Sequence, residues 1–475
     1  MAPKKPPVGL LGFLMVLGPS LVWCGEYIGS GEVILATRSG AIFGPAILWA
    51  VVFIIFFKYW IGLCGARYTV VTGEAMIDAF ARLPGPRNWA VWVTLIAQVT
   101  AAVCSIGALA NMASIFLHSL LPLGLHSRMI WASVVTAFAI WIAWMQRFDA
   151  LKWAMGLFVG VIVLGVAYVA VHALPSFRDL LIGLFGFRTP DVPDWARAAD
   201  PSVTSVWGEI LPMMGWAAGG FASQVWYTYW VMGAGYGMTA GRSWGMRADE
   251  EKLARLSAQE AREIRPWLRA VAFDATTALL IGVTVTAAFL LAGAGVLRPE
   301  HLVPKKEQVA TELSLIFTKH WDAFGGYLFL AAGAAAMIST QLGQLAGWPR
   351  LLADCIRNIK PSFGRINPAR QFRLFLCLFL ITNLVICGLF GAEPILLVKL
   401  GSLLDGLLLV PLQALAVAYA IFFTQRKLLS PEAGAILRPR WYHLAGLIVA
   451  AVIFAYLCIF QVPAVLQQVV TEMRK

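Results

Sequence analysis

Long apolar stretches separated by short polar segments form the main pattern of the sequence. Runs such as "AILWAVVFIIFFKYWIGLCGA" and "LLIGVTVTAAFLLAGAGVL" contain almost no charged residues. A helix of about 20 apolar residues crosses the roughly 30 Å hydrocarbon layer of a bilayer. The repeated runs of this length therefore predict an all-α polytopic membrane protein.

The pattern predicts about eleven transmembrane helices, since that many runs reach the length of a span. They lie at 9–37, 45–69, 88–117, 126–145, 150–174, 208–236, 269–295, 324–347, 371–391, 395–423 and 441–463. Spans one to five (9–174) and six to ten (208–423) would form two repeats, and the odd number of spans in each would invert the second repeat in the membrane. We therefore expect residues 1–475 to form a single transmembrane domain, with the helix at 441–463 added outside the repeats.

The charge supports a membrane location and argues against nucleic-acid binding. Only 13% of the residues are charged and the mean hydropathy is +0.75, whereas soluble domains contain about 25% charged residues. With a cytoplasmic N-terminus, most of the 37 Lys and Arg residues lie in cytoplasmic segments, in agreement with the positive-inside rule. We expect a multi-pass protein of the plasma (inner) membrane without a cleavable signal peptide, and a solvated basic helix at 249–265.

No sequence feature indicates an enzyme. The chain lacks a nucleotide-binding loop, a nucleophile–base pair and the spacing of a metal hydrolase, so we expect no catalytic activity and no cofactor. Most of the cysteines lie inside the apolar runs, and we interpret them as small core residues rather than disulfides or zinc ligands. The expected partners are the lipid bilayer, a small cation and protons, and the oligomeric state stays open.

Two spans carry glycine-rich interruptions at corresponding positions of the two repeats. The first contains "WCGEYIGSGE" and the sixth contains "GWAAGGFASQVWYTYW". Interrupted spans at matching positions mark the midplane site of a secondary transporter, and a charge at the bilayer centre costs about 2.5–3.5 kcal/mol. We therefore predict a substrate site that consists of Glu26, Gly29, Ser30, Gly31, Glu32, Phe221, Ala222, Ser223, Gln224 and Tyr227.

The two glutamates of the first span can meet only if that span breaks. Six residues correspond to about 240° around a continuous helix, which places Glu26 and Glu32 on different faces, whereas the Gly-Ser-Gly run between them permits a break. Glu26 and Asp405 are candidate proton carriers because they are carboxylates inside spans. For Asp405 a hydrogen bond that packs two helices is an equal alternative, and Gln98 and Gln413 are interpreted as such interhelical links.

Four segments carry further motifs: "LGPSLVWCGEYIGSGEVILATRSGAIFG", "FDATTALLIGVTVTAAFLLAGAGVL", "AAGAAAMISTQLGQLAG" and "GSLLDGLLLVPLQALAVAY". They are similar to the first, seventh, eighth and tenth spans of the NRAMP proton-coupled metal-ion transporters, which have the leucine-transporter-type fold. The resemblance implies a 5+5 inverted repeat with broken helices 1 and 6. It also implies a secondary active symporter of metal ions and protons.

The metal-binding motifs of that family are changed in this chain. The first-span signature Asp-Pro-Gly-Asn aligns with residues 29–32, and the sixth-span signature Met-Pro-His-Asn aligns with residues 221–224. Without the soft thioether of the methionine, the discrimination against magnesium and calcium is lost. We therefore expect a hard divalent cation of the magnesium, manganese or calcium type, held by Glu32, Glu26 and Gln224.

Two other functions fit the same residues. The "IGSG" run also resembles the first span of amino-acid transporters with this fold, in which N–H groups at a half-helix bind the substrate carboxylate. The glutamates would then pair with the amino group of an amino acid or a small amine. A channel or a non-transporting sensor on the same scaffold is the remaining alternative, although no segment between the spans is long enough for a soluble output domain.

Overall fold

The computed structural model describes residues 7, 9–15, 17–173, 175–304, 309–390 and 394–473. In these ranges every regular element is a helix. The first ten α-helices are α1 Gly9–Met15, α2 Pro19–Tyr27, α3 Thr37–Phe43, α4 Leu48–Thr72, α5 Met76–Phe80, α6 Trp89–Leu120, α7 Ser127–Met145, α8 Phe148–Ala173, α9 Phe177–Phe185 and α10 Asp194–Ala199. The next twelve are α11 Val206–Trp216, α12 Phe221–Ala234, α13 Glu250–Ala254, α14 Ala258–Ala292, α15 Val309–Ile359, α16 Pro368–Phe390, α17 Pro394–Leu403, α18 Val410–Tyr419, α19 Gln425–Leu428, α20 Pro431–Ile436, α21 Trp441–Phe460 and α22 Val462–Met473. Wider π-helical turns occupy Gly31–Ala36, Gly293–Leu297, Leu404–Leu408 and Ala420–Thr424.

Seven stretches within the described residues are long and apolar enough to cross a membrane. They are Gly31–Thr72, Trp89–Leu120, Ser127–Met145, Ala258–Glu300, Pro368–Ile386, Leu397–Leu428 and Trp441–Phe460. The prediction of an all-α polytopic membrane protein is thus confirmed. The number of eleven spans stays a prediction.

The first predicted helix break is present. Helix α2 ends at Tyr27, Ile28 leaves the helical region with φ −72° and ψ 87°, and the π-helical turn begins at Gly31. A side chain at Gly29 would collide with Thr340 of α15, so a close approach between the break and α15 requires glycine there. The Gly-Ser-Gly run therefore both weakens the helix and lets a neighbouring helix approach the exposed backbone.

The second predicted helix break is also present and uses left-handed backbone. Helix α11 ends at Trp216 and α12 begins at Phe221. Between them Ala218 has φ 56° and Gly219 has φ 72°. This conformation suits glycine, but for alanine it is strained by about 1–3 kcal/mol, and such strain concentrates at functional sites.

The basic segment differs from the helix predicted at 249–265. Helix α13 ends at Ala254, and a new helix, α14, starts at Ala258. The Ser257 hydroxyl accepts the N–H of Glu260, and the Glu260 carboxylate accepts the N–H of Ser257. This reciprocal capping box satisfies two N–H groups at a helix start. The prediction of one continuous helix was therefore wrong, because a cap begins a second helix inside it.

The two broken helices lie in the middle of the bundle. Helix α2 packs against α8, α12, α14 and α15, and α12 also packs against α4. Glu26, Glu32, Ser223 and Gln224 are almost completely buried as a result. Packing on several sides thus separates the breaks from lipid, and exposed backbone is tolerated only in such a protein-lined place.

Candidate functional site

The breaks of the two helices are joined by a side-chain contact. The Ser223 hydroxyl donates a 2.6 Å hydrogen bond to Glu26 Oε2 and accepts a 2.9 Å hydrogen bond from the Trp23 indole N–H. The Trp23 ring also stacks on Tyr227, with 4.2 Å between the ring centroids. The predicted residues Glu26, Ser223 and Tyr227 are therefore brought together around Trp23, which the sequence analysis did not single out.

Glu32 lies between the two breaks. Its Oε2 accepts the N–H of Gly29, in its own break, at 3.1 Å. Its Oε1 accepts the N–H of Ala218, in the other break, at 3.3 Å. N–H groups freed by a helix break favour a negative charge. The carboxylate of Glu32 is therefore held by both breaks at once, as a residue of a shared site would be.

Asp405 lies next to the start of α12. Its Oδ1 accepts the Ala222 N–H and the Gln98 side-chain amide, each at 3.0 Å. The side-chain amide of Gln413 donates to the Phe221 carbonyl at 2.9 Å. The interhelical hydrogen bonds expected of Gln98, Gln413 and Asp405 are present, while a proton-carrying role for Asp405 stays a prediction.

Lys58 of α4 reaches into the break between α11 and α12. Its ammonium donates to four backbone carbonyls within 3.1 Å, and the side chain is only 1% exposed. The acceptors are Met214 at 3.0 Å, Gly215 at 2.5 Å, Ala217 at 3.1 Å and Gly219 at 2.7 Å. Lys58 is not among the residues predicted from the sequence, although a single lysine in the middle of an apolar run is itself a signal of function.

Among the described residues, two side-chain oxygens at or next to the breaks have no hydrogen-bond partner. They are Ser30 Oγ and Gln224 Oε1, both buried. The Gln224 amide nitrogen instead donates to the Ala218 carbonyl at 3.2 Å. Gln224 and Ala218 also line a small cavity of about 10 Å³, a volume that holds about one water molecule. Buried oxygens without partners are costly, so each of these two oxygens would be stabilised by a ligand that accepts oxygen donors.

The structure does not bring Glu26, Glu32 and Gln224 together in a preformed metal site. Within the ranges given above, no three His, Cys, Asp or Glu side chains are placed to hold one metal ion. Glu26 and Glu32 accept hydrogen bonds from different donors. Their predicted role as metal ligands together with Gln224 therefore stays a prediction.

The tyrosine after the second break is fixed by the seventh predicted span. The Tyr227 hydroxyl donates to Asp274 at 2.7 Å, and the Ser20 hydroxyl donates to the same carboxylate at 2.7 Å. Asp274 thereby fastens α2 and α12 to α14. Tyr227 presents its ring, rather than its hydroxyl, to the Trp23 side of the break.

A buried ionic network ties the first broken helix to α11. Arg38 of α3 forms ion pairs with Glu209 at 2.7 Å and Asp200 at 2.8 Å. Glu209 also pairs with Lys399 of α17 at 2.7 Å. Burial raises the pKa of the Asp200 carboxyl, but the Arg38 guanidinium and hydrogen bonds with Ser202 together more than offset this effect and hold that pKa below its ordinary range. This network is not predicted from the sequence, because its members are far apart in the chain.

Comparison with known proteins gives relatives for the N-terminal part of the chain. Residues 21–208 match the family "Natural resistance-associated macrophage protein-like" (Nramp). A divalent metal cation transporter MntH of Yersinia enterocolitica is 28% identical over 185 residues, which are 38% of this chain and 43% of that protein. The MntH of Aeromonas hydrophila is 33% identical over 98 residues, which are 20% of this chain and 24% of that protein. The matched segments thus span less than half the length of these curated relatives.

Solved structures resemble the whole chain. The manganese transporter of Eremococcus coleocola has a TM-score of 0.66 at 13% identity, over 99% of this chain and 96% of that one. MhsT in complex with L-phenylalanine has a TM-score of 0.55 at 15% identity, over 98% of this chain and 100% of that one. At these identities the likeness concerns the fold alone, and it confirms the predicted leucine-transporter-type fold class.

Proposed function

We propose that this chain, an Nramp-related polytopic membrane protein, is a secondary transporter that carries a divalent cation between its two helix breaks. The observation that carries the proposal is the position of Glu32, whose carboxylate accepts N–H groups from both breaks. The unpartnered oxygens of Ser30 and Gln224 belong to the same two broken segments. Relatives named as divalent metal cation transporters support the choice of a cation.

The donor atoms favour a hard cation. Carboxylate, hydroxyl, amide and carbonyl oxygens suit magnesium, calcium and manganese, whereas thioether and imidazole ligands suit softer transition metals. At the aligned positions this chain has Phe221 and Ser223 instead of methionine and histidine. The substrate class we propose is therefore a magnesium-, manganese- or calcium-like ion, held by Glu32, Glu26 and Gln224.

Charge balance is the reason to propose proton coupling. Glu26, Glu32 and Asp405 are buried near the breaks. The ammonium of Lys58 interacts electrostatically with the carboxylates of Asp405 and Glu32. Buried charges are retained when they are paired or neutralised. A divalent cation together with protons on Glu26 and Asp405 would neutralise these carboxylates, so we propose Glu26 and Asp405 as the proton carriers of a symport.

The remaining architecture of the proposal follows from the sequence. Two inverted repeats, 9–174 and 208–423, would place the breaks at equivalent positions, with the helix at 441–463 outside them. The excess of Lys and Arg on one side would put the N-terminus in the cytoplasm. The proposed location is the plasma (inner) membrane.

An organic cation is the second candidate substrate. The four carbonyls around Lys58 already hold an ammonium group, so the break of α11 has the chemistry that binds an amine. Glu26 would supply the negative partner of a substrate amino group. One fold neighbour, MhsT, was solved with L-phenylalanine.

Flux into proteoliposomes tests the two candidates. Vesicles loaded with a divalent-sensitive dye receive magnesium, calcium or manganese outside, with wild type, Glu32→Gln and the exposed control Glu432→Gln. We expect saturable influx that Glu32→Gln abolishes and Glu432→Gln leaves unchanged. Absence of influx for every divalent ion, with correctly folded protein, would rule out the metal substrate, and radiolabelled amino acids and amines would then be supplied to the same vesicles.

A further inference from the structure

Lys58 is solvated by the protein in the way that a bound cation is. Its ammonium has three N–H groups and faces four carbonyl oxygens at 2.5–3.1 Å. All four belong to residues 214–219, at the end of α11 and in the break that follows. We infer that these carbonyls form a cation site and that Lys58 fills it from within the chain, as a tethered competitor of the substrate.

The groups that stabilise the Lys58 ammonium are mainly backbone carbonyls, and this supports the inference. Among the ion pairs formed by the described residues, none includes Lys58. The carboxylates of Asp405 and Glu32 act on the ammonium only through space. The last carbonyls of a helix lack intrahelical partners and carry the negative end of the helix dipole. The cage therefore selects a small positive charge through backbone oxygens, which any similar cation can use.

The position of the cage predicts that Lys58 competes with the substrate. The cage includes Ala217 and Gly219, and the residue between them, Ala218, donates its N–H to Glu32 and accepts the Gln224 amide. A cation held by Glu32 and Gln224 would lie beside the Lys58 ammonium and be repelled by it. Substrate binding therefore requires that Lys58 withdraws from the carbonyls or loses its proton. This consequence rests on the proposed function, whereas the cage itself does not.

Thermal unfolding in detergent tests the cage without any transport. Lys58→Met preserves most of the apolar stem but ends one atom short of Nζ, so the carbonyls lose their cation. The variant is melted in ammonium, methylammonium, sodium or N-methylglucamine chloride at equal ionic strength, beside wild type and the exposed control Lys427→Ala. We expect Lys58→Met to melt at a lower temperature than wild type. Ammonium and methylammonium should raise its melting temperature more than the bulky N-methylglucamine, with no such difference for the other two proteins.

An equal response of Lys58→Met to small and bulky cations would overturn the cage. If ammonium raised the melting temperature of wild type as much as that of the variant, the idea that Lys58 fills the cage would be overturned. If Lys58→Met does not purify as a folded protein, Lys58→Ala, which leaves more room, is melted in the same salts. For Lys58→Ala, too, an equal response to small and bulky cations would overturn the cage, and an equal gain of wild type from ammonium would overturn its occupation by Lys58.

Binding and flux measurements separate this inference from the proposed function. If Lys58 competes with the substrate, Lys58→Met should bind the most rapidly transported divalent ion at least about tenfold more tightly than wild type. Unchanged affinity would overturn the competition. Small-cation stabilisation of Lys58→Met without divalent flux in any variant would retain the cage and reject divalent transport. Divalent flux in wild type, without small-cation stabilisation of Lys58→Met, would support divalent transport and reject the cage.

Discussion

The Ser223 hydroxyl donates a 2.6 Å hydrogen bond to the Glu26 carboxylate across 197 residues of chain. Glu26 is in the last turn of α2 and Ser223 in the first turn of α12, so the contact joins the two helices at their breaks. The same hydroxyl accepts the Trp23 indole N–H. One small side chain thus satisfies a buried acid and a buried donor at the centre of the candidate site.

Removal of this hydroxyl should destabilise the protein. In Ser223→Ala, Glu26 Oε2 and the Trp23 N–H both lose a buried partner, and a lost hydrogen bond to a buried group costs about 1–3 kcal/mol. We expect a clear fall in melting temperature, measured by intrinsic tryptophan fluorescence in detergent. Ser339→Ala is the matched control, because the buried Ser339 hydroxyl donates to a carbonyl of its own helix, that of Ala336. Equal effects of the two substitutions would show that the Glu26 contact has no special weight.

Substitution in the ionic network around Glu209 should destabilise the protein more than Ser223→Ala does. Glu209 balances Arg38 and Lys399, and all three side chains are at most 4% exposed. Removal of one partner of a buried ion pair typically costs about 3–5 kcal/mol, since the other charge stays buried and unpaired. Glu209→Gln should therefore reduce the yield of folded protein and lower its melting temperature strongly. Asp194→Asn, which alters an exposed pair with Arg197, should leave the melting temperature unchanged.

Asp200 gives the same network a pH dependence with a definite sign. Because Arg38 holds the Asp200 pKa below its unfolded value, the charged carboxylate stabilises the folded state above pH about 4. That contribution disappears as the pH falls through the folded-state pKa. The difference in melting temperature between wild type and Asp200→Asn should therefore shrink between pH 6 and the acid limit of folding, roughly pH 3. A difference that stays constant over this range would contradict the assignment.

The two breaks could be predicted because their causes are local. The Gly-Ser-Gly run at 29–31 and the glycines at 219–220 weaken a helix wherever they occur. Their matching positions in two halves also pointed to a shared site. The start of α14 is equally readable, since Ser257 and Glu260 have the spacing of a capping box, and this local signal argues against one long basic helix at 249–265.

The cation cage and the ionic network could not be predicted in this way. The acceptors of Lys58 are backbone carbonyls more than 150 residues away, at separations of 156–161. Carbonyls carry no sequence signature, so only the three-dimensional packing of α4 against α11 identifies them. Arg38 and Glu209 are separated by 171 residues, and a single sequence does not show which of many acids each base will meet.

Helix α11 and the π-helical turn at Leu404–Leu408 are in close backbone contact. A Cβ on Gly406 would collide with the carbonyl of Gly215, and one on Gly215 would collide with the carbonyl of Ser402. Backbone atoms cannot move aside as a flexible side chain can. Overpacking a tight contact typically costs about 1–3 kcal/mol and sometimes more.

Gly406→Ala should therefore lower the melting temperature and displace the segment that holds Asp405 beside α12. Gly156→Ala is the matched control, since Gly156 lies inside α8 with open space around its Cβ position. There alanine should be neutral or slightly stabilising, because its helix propensity exceeds that of glycine by up to about 1 kcal/mol. Both variants are compared by melting in detergent. Equal melting temperatures of Gly406→Ala and Gly156→Ala would show that an added methyl group has room at this turn. Close backbone packing would then not explain the position of Asp405.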